Sequence, residues 1–336
     1  MEQKKVRTIA DIAQIAGVSK STVSRALSGS SLISEETRER IQAIANQHQY
    51  QINLPASRLS KQRSNTLAFV VQCSCAKFSV EDLFSLEILG AITNAASDLD
   101  YDLLMVNLPP HKQDWVPEYF STGRVDGFIL MTSVHKTHNI RSLIEHQAPF
   151  ITWGNPLPSE TFNYVTSDNR RGGFLATSHL IERGHRTIAF LGGPQEELEV
   201  SERFRGYQHA LGLAGIELKA DLIGYADFSS EMAAEVMARL ISARPDIDGV
   251  FVNSDIMAMS AMRVLHMRGY RIPEDIAVVG YDDVSLAQFA TPALTTVRQN
   301  IAEVGKQLVY NLVNYLDNGI THHLTMPVEL IVRSSS

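Results

Sequence analysis

The feature that most constrains this fold is a regular alternation of short apolar runs with stretches of helical period, from residue 66 to residue 292. The first runs are TLAFVVQ (66–72), YDLLMVN (101–107), DGFILMT (126–132) and PFITWG (149–154), and the later ones are FNYVTSD, RTIAFLGG, ADLIGYA, DGVFVNS and IAVVGYD. Such alternation is typical of parallel sheets joined by crossover helices. The predicted fold class is therefore α/β, with two doubly wound parallel-sheet lobes that bind ligands at the carboxyl ends of their strands.

Charge is distributed unevenly along the 336 residues. Residues 1–65 contain 10 Lys and Arg against 5 Asp and Glu, a formal charge of +5, whereas the remainder contains 20 against 32, a charge of −12. The basic segment fits a polyanionic partner, which would repel a strongly acidic chain. On charge alone, a solubilising tail explains the basic segment equally well.

The sequence shows no signal for export or membrane insertion. The opening MEQKKVRTIAD lacks the apolar core of a secretory signal, and no window approaches the roughly 20 apolar residues that cross a bilayer, so we expect a cytoplasmic protein. Cys73 and Cys75 are one residue too close for the usual Cys-x-x-Cys redox or zinc pair. We interpret them as buried or incidental thiols.

Within the basic segment, the pattern predicts three short helices. IADIAQIA and the stretch from Lys20 to Leu27 have apolar residues at helical spacing and are separated by Gly17, where a tight turn favours positive φ. Thr8, Ser19 and Ser34 are the predicted caps of the three helices. This order of elements predicts an all-α helix-turn-helix headpiece.

The second helix is predicted to read DNA. Lys20, Ser21 and Arg25 point away from the apolar side, where Arg and Lys can bind guanine in the major groove. Hydroxyl groups nearby suit phosphate contacts. Taken singly, each of these residues is more often a cap or a solvated surface residue. The predicted DNA contacts of the headpiece are Thr8, Ser19, Lys20, Ser21, Ser24, Arg25, Ser28, Ser34 and Thr37.

Several collinear motifs resemble one family of bacterial regulators. TIADIAQIAGVSKSTVSRALSGSSLISEETRERI is similar to the headpiece of the lactose-repressor and galactose-repressor (LacI/GalR) family. VTSDNRRGGFLATSHLIERGHRTIAFLGG, ERFRGY, NSDIMAMSAMRVL and VVGYDDVSLAQFATPALTTVRQ resemble its regulatory domain, whose two lobes are like those of periplasmic binding proteins. The expected division is a headpiece at 1–50, a linker helix at 51–65, an N-terminal lobe at 66–162 and 293–321, and a C-terminal lobe at 163–292 and 322–336.

The resemblance also assigns a role to the linker. In the family, a leucine from each subunit's linker helix enters the DNA minor groove; by position this is Leu59, with Ala56 allowing the paired helices to approach. This sequence departs from the family pattern, with Ile52 in place of the usual proline and with Pro55 inside the expected helix. Because proline is tolerated only in the first helical turn, the helix would begin near Pro55. An unstructured tether is the alternative.

For the cleft between the lobes, the resemblance implies a set of effector contacts. An arginine, two carboxylates and aromatic rings suit a neutral polyhydroxylated ligand, so a saccharide is the leading effector. A purine or a phosphorylated metabolite would favour more basic residues. For each aromatic residue the alternative is core packing, and for Asp255 it is a helix cap. The predicted contacts are Gln72, Leu83, Phe84, Trp153, Asn155, Arg203, Asp255, Asp282 and Phe289.

These features together predict a homodimeric transcriptional repressor of carbohydrate-utilisation genes. It would bind a pseudo-palindromic operator, and a bound sugar would lower its affinity for that DNA. A corepressor-dependent regulator that responds to a non-sugar metabolite is an alternative, and a solute-binding protein is a weaker one. No enzyme activity, cofactor, metal or membrane partner is expected, because the Asp282–Asp283 pair has no third ligand at a matching spacing and no catalytic motif is found.

Overall fold

The computed structural model describes residues 8–27, 32–48, 50, 63–71, 83–109, 112, 114–131, 137–155 and 162–336. The chain divides after Ser64 into two compact units. Within the described ranges, no helix is long and apolar enough to cross a membrane.

The first unit contains three helices, α1 (Ile9–Ala16), α2 (Lys20–Leu27) and α3 (Glu35–Gln47). Ile12, Val23 and Ile41 are fully buried where the helices meet. Gly17 has φ +65° and ends α1, because glycine adopts the left-handed conformation without a steric penalty. The predicted helix-turn-helix is confirmed.

All three predicted helix caps form hydrogen bonds. The Thr8 hydroxyl accepts from the Asp11 amide at 3.2 Å while the Asp11 carboxylate accepts from the Thr8 amide at 3.0 Å, a reciprocal capping box. Ser19 Oγ accepts from the Thr22 amide at 3.1 Å, and Ser34 Oγ accepts from the Thr37 amide at 3.4 Å. These bonds explain why the helices begin where the sequence predicts.

The second unit has two six-stranded sheets, one in each lobe. The first sheet is entirely parallel, in the order β11-β5-β4-β3-β1-β2. Its strands are β1 (Thr66–Val71), β2 (Asp102–Asn107), β3 (Gly127–Met131), β4 (Phe150–Trp153), β5 (Asn163–Ser167) and β11 (His323–Met326). The helices of this lobe are α4 (Leu83–Asp98), α5 (Val116–Tyr119), α6 (Thr137–Glu145) and the later α11 (Ile301–Asn318).

The sheet of the second lobe has the order β12-β10-β9-β8-β6-β7, with only β12 antiparallel to its neighbour. Its strands are β6 (Ile188–Gly192), β7 (Ile223–Tyr225), β8 (Gly249–Val252), β9 (Ala277–Asp282), β10 (Thr295–Arg298) and β12 (Glu329–Ile331). Its helices are α7 (Asn169–Glu182), α8 (Leu198–Leu213), α9 (Ser230–Ala243) and α10 (Asp255–Met267). The predicted α/β class with two doubly wound lobes is confirmed.

The lobe boundaries differ from the prediction at three strands. β5 and β11 pair in the first sheet, although 163–292 and 322–336 were assigned to the C-terminal lobe. β10 pairs with β9 in the second sheet, although 293–321 was assigned to the N-terminal lobe. A strand belongs to the sheet in which it finds its hydrogen-bonding partner. The order of strands in the sequence does not specify that partner. α11 packs against α4 and the first sheet, so the strand after it reaches β5.

Three crossings connect the lobes, after β5, after β10 and between β11 and β12. Each crossing leaves a sheet at the carboxyl end of a strand. The carboxyl ends of both sheets therefore border one cleft, which is where open α/β sheets bind ligands.

Candidate functional site

One face of α2 is polar and exposed. Lys20, Ser21, Ser24 and Arg25 are exposed, whereas Val23, between them in sequence, is completely buried. Because Val23 anchors the helix, the basic and hydroxyl side chains are presented on a rigid surface. An exposed helix with this composition can enter the major groove of DNA.

The remaining predicted DNA contacts lie near helix ends or outside the described residues. Ser19 and Ser34 are exposed caps, and the Ser34 hydroxyl also donates to Thr37 Oγ1 at 2.9 Å. Thr8 is exposed and is engaged in the capping box. Ser28, Ala56 and Leu59 lie outside the described residues, as do residues 51–62 of the linker helix predicted at 51–65.

Arg203 is the central cation of the second lobe's wall of the cleft. It lies on α8 and is only 6% exposed. Its Nε donates to Asn169 Oδ1 at 2.8 Å and its Nη1 donates to the carbonyl of Asn253 at 2.6 Å. The guanidinium carbon lies 3.7 Å from the centre of the Tyr281 ring. These contacts hold the planar group in one orientation.

Asn253 is a site residue that the sequence analysis missed. It follows β8 directly and is fully buried, and neither Oδ1 nor Nδ2 has a hydrogen-bond partner among the described residues. Buried amides are normally paired, so this side chain is suited to a polar ligand. The signal was its place at the carboxyl end of a strand, whereas the predicted contact was Asp255, two residues later.

Asp255 lies between the loop after β9 and strand β10, and it is not the cap of its helix. Its carboxylate accepts from the Val284 amide at 2.9 Å and from the Thr296 hydroxyl at 2.5 Å. The helix cap is Ser254, whose hydroxyl accepts from the Met257 amide. Complete burial, and then the neighbouring Asp282, raise the pKa of Asp255 well above its ordinary value. Through these two bonds the Asp255 carboxyl group connects the loop after β9 to β10.

The two aspartates that end β9 have different surroundings. Asp282 is buried with φ +115°, and its Oδ1 accepts from Gln299 Nε2 at 2.7 Å. Asp283 accepts from Arg298 at 2.7 Å and from Arg333 at 2.6 Å. Asp283 is therefore part of an ion-pair network. In the part of the chain that is described, no cluster of three or more His, Cys, Asp or Glu forms a metal site.

The first lobe contributes an aromatic wall. Phe84, at the start of α4, and Trp153, the last residue of β4, have ring centres 6.0 Å apart with planes inclined at 33°. Both rings pack against the core of this lobe, as does Leu83. These contacts agree with the core-packing alternative for the two rings, and their contact with an effector stays a prediction. Gln72 lies outside the described residues.

Asn155 joins the two walls. Its amide oxygen accepts from the Thr166 hydroxyl at 2.9 Å, and its main-chain amide donates to Glu199 Oε1 at 2.6 Å. Glu199 lies on α8, one turn before Arg203, and burial raises the pKa of its carboxyl group. Glu199 was not among the predicted contacts, although the spacing of four residues places it on the same helix face as Arg203.

Two further aromatic residues bear on the cleft: Phe289, which was predicted, and Phe228, which was not. Phe289 is 74% exposed, in a 3-10 turn beside Leu286, which is 47% exposed, so its ring is not packed in the cleft wall. Phe228, which was not predicted, follows β7, and its ring lies against the backbone of Gly193 at the end of β6. Phe228 has φ +67°, a conformation that the sequence does not reveal.

Together these side chains form a cleft that combines fixed polar groups with aromatic surface. Arg203 and Asn253 supply donors, Asp282 supplies acceptors, and Phe84 and Phe228 supply rings. Ring faces pack against the C–H surface of a sugar, while paired donors and acceptors match its hydroxyl groups. The site can bind a polar uncharged ligand, and among the residues that the structure describes no nucleophile is positioned beside a base.

Each of the two units contains a region that matches a known protein family. Residues 8–53 match the family described as bacterial regulatory proteins, lacI family, and residues 177–336 match the periplasmic binding protein-like domain. The chain is 35% identical to the HTH-type transcriptional regulator CelR of Thermobifida fusca over 338 residues, which cover 99% of this chain and 98% of CelR.

Two solved structures are similar over nearly the whole chain. The first, a transcriptional regulator CelR–cellobiose complex, has a TM-score of 0.76 and 34% identity, and the match covers 98% of this chain and 99% of that one. The second is a lac repressor dimer bound to operator and the anti-inducer ONPF, with a TM-score of 0.83, 25% identity and 99% of both chains covered.

Proposed function

Because the chain belongs to the LacI family of bacterial regulatory proteins, as its motifs predicted, we propose that it is a homodimeric repressor in the cytoplasm whose operator affinity is lowered by a bound saccharide. The main observation that supports this proposal is the similarity to CelR along the full chain. That similarity includes both the headpiece and the regulatory lobes. The protein would act by binding and would catalyse no reaction.

The exposed face of α2 supports the DNA-binding part of the proposal. Lys20 and Arg25 are exposed on a helix held by buried Val23 and Ala26, and two such helices in a symmetric dimer would bind two operator half-sites. Phosphate contacts from Thr8, Ser19, Ser34 and Thr37 would position the helix. The same role is proposed for Ser28, and the linker contacts are proposed for Ala56 and Leu59.

The cleft supports a neutral sugar as the effector. Arg203 is the one arginine buried in the described part of the chain, and the acidic side chains of Asp282 and Glu199 lie in the same lobe, a balance that disfavours an anionic ligand such as a phosphorylated metabolite. The solved CelR relative is a complex with cellobiose, so a β-linked glucose disaccharide is the first compound to test. We propose Arg203, Asn253, Asp282, Phe84, Trp153, Asn155 and Phe228 as the effector contacts.

The test is operator binding at fixed salt concentration, with and without sugar. Inverted-repeat duplexes selected from random DNA by the full chain should bind more tightly than scrambled duplexes, and cellobiose or a related disaccharide should weaken that binding. Arg25→Ala should lose about 1–3 kcal/mol of preference at one base position. Arg203→Lys should keep operator binding and lose the sugar response, whereas Arg205→Lys, an exposed neighbour on α8, should keep both.

Three outcomes would count against the proposal. Equal binding to inverted-repeat and scrambled DNA would exclude a sequence-specific regulator. A small molecule that tightens operator binding would indicate a corepressor-dependent regulator. A sugar response that survives Arg203→Lys would place the effector outside this cleft.

A further inference from the structure

Two hydrogen bonds cross the cleft in a reciprocal arrangement. Glu199, on α8 of the second lobe, accepts from the main-chain amide of Asn155 in the first lobe at 2.6 Å. Glu87, on α4 of the first lobe, accepts from the main-chain amide of Ser285 in the second lobe at 2.7 Å. Each lobe therefore contributes one carboxylate and one amide to the other.

The loop that receives Glu87 is itself shared between the lobes. It begins at Asp283, directly after Asp282 at the end of β9, and these two residues have φ values of +57° and +115° respectively. The Val284 side chain, 3% exposed, belongs to the apolar core of the first lobe, while its amide donates to Asp255 in the second lobe. Asp255 of its own lobe and Glu87 of the other lobe therefore both bind the main chain of this loop.

The two cross-lobe bonds act on the segments that carry the cleft residues. Asn155 lies two residues after Trp153, and Ser285 lies three residues after Asp282. Hydrogen bonds from an amide to an ionised carboxylate are roughly twice as strong as those between neutral groups. Because both bonds join opposite lobes, both can form fully only when the lobes have this separation.

We propose that Glu87 and Glu199 are a pair of positioning residues that together set the distance between the lobes and thereby the geometry of the effector cleft. Neither residue needs to touch the effector for this role. That the cleft holds an effector rests on the proposed function, but the coupling between the two cross-lobe bonds does not. Loss of either carboxylate should therefore weaken the bond made by the other.

The test is hydrogen–deuterium exchange of the full chain without any sugar, followed by mass spectrometry of peptides that contain Asn155 and Ser285. Glu87→Ala removes the acceptor for Ser285, and we expect exchange at Asn155 to become at least about tenfold faster as well. Glu199→Ala should likewise accelerate exchange at Ser285. Glu87→Gln and Glu199→Gln, which retain an acceptor oxygen, should show smaller effects in the same direction.

Glu182→Ala, at an exposed glutamate on α7, is the matched control and should leave both peptides unchanged. Thermal unfolding of each variant establishes that it is folded, and the Gln variants keep the comparison available if an Ala variant does not fold. If each substitution accelerates exchange only at its own partner amide, or at neither, the two bonds are independent local contacts and the proposal is wrong. An absent response to cellobiose would affect the proposed function and leave this result unchanged.

Discussion

At the residue scale, the cleft depends on a few buried polar groups whose partners come from distant parts of the chain. Arg203 binds Asn169 and the carbonyl of Asn253, and Asp255 binds Val284 and Thr296. Such groups are costly to bury unless each hydrogen bond is made. Their orientation is therefore a property of the folded lobe.

Asp255 should make the stability of the protein depend on pH. Since its pKa is raised in the folded state, the folded chain holds this proton more tightly than the unfolded chain. The free energy of unfolding should then fall as the pH rises from the unfolded pKa, near 4, to the raised folded pKa, by up to about 1.4 kcal/mol per pH unit. Above the folded pKa it should level off.

Urea unfolding followed by circular dichroism between pH 4 and 8 measures this dependence. The D255N chain can still accept from Val284 and donate to Thr296, so it should fold and should lose this part of the pH dependence. D275N is the control, because Arg271 lowers the pKa of Asp275 to about 2, and its curve above pH 5 should run parallel to that of the parent chain. A D255N curve parallel to the parent curve would show that Asp255 does not carry the effect.

At the element scale, the second lobe relies on a close approach of α7 and α8. A side chain at Gly206 would overlap the carbonyl oxygen of Arg170, and one at Gly173 would overlap the carbonyl oxygen of Arg203. The helix backbones are thus in contact at both glycines. This contact determines where Arg203, one turn from Gly206, enters the cleft.

Gly206→Ala should force the two helices apart and destabilise the protein by about 1–3 kcal/mol or more. It should also weaken the response to sugar, because Arg203 would move with α8. Gly212→Ala, on the same helix with open space around it, should leave stability unchanged or raise it by up to about 1 kcal/mol. Thermal unfolding and sugar titration of both variants check this, and similar behaviour of the two would argue against a close helix contact.

At the scale of the whole molecule, regulation requires free energy to pass between the cleft and the headpiece. If a bound sugar lowers operator affinity by a given factor, operator DNA must lower sugar affinity by the same factor, typically 5- to 150-fold. We expect the coupling to pass through the three crossings, because they are the covalent connections between the two lobes that border the cleft.

Titration of cellobiose into the free protein and into its operator complex, at one salt concentration, measures both factors. We expect them to agree within error, and we expect neither change in Arg203→Lys. Sugar affinity that is unaffected by the operator, alongside operator affinity that is lowered by sugar, would mean that the sugar acts outside this two-site scheme.

Local sequence patterns predicted most elements of this protein, because caps, turns and apolar periodicity act over a few residues. Thr8, Gly17, Ser19 and Ser34 were placed correctly for that reason, and the class of both lobes followed from the alternation of strands and helices. The resemblance to family motifs added Arg203 and the aromatic residues to the predicted site, because the role of a motif position can be carried over before its contacts are known.

Tertiary structure decided which groups face the cleft and which sheet each late strand joins. Asp255 and Phe289 have the right residue types, but the first is enclosed by Val284 and Thr296 and the second is exposed. β5, β10 and β11 lie in sheets that the sequence did not predict, because strand pairing is also set by residues distant in the sequence. Strand pairing, side-chain burial and side-chain orientation all depend on contacts with residues that are distant in the sequence. Those contacts contribute free energy only when the lobes are folded.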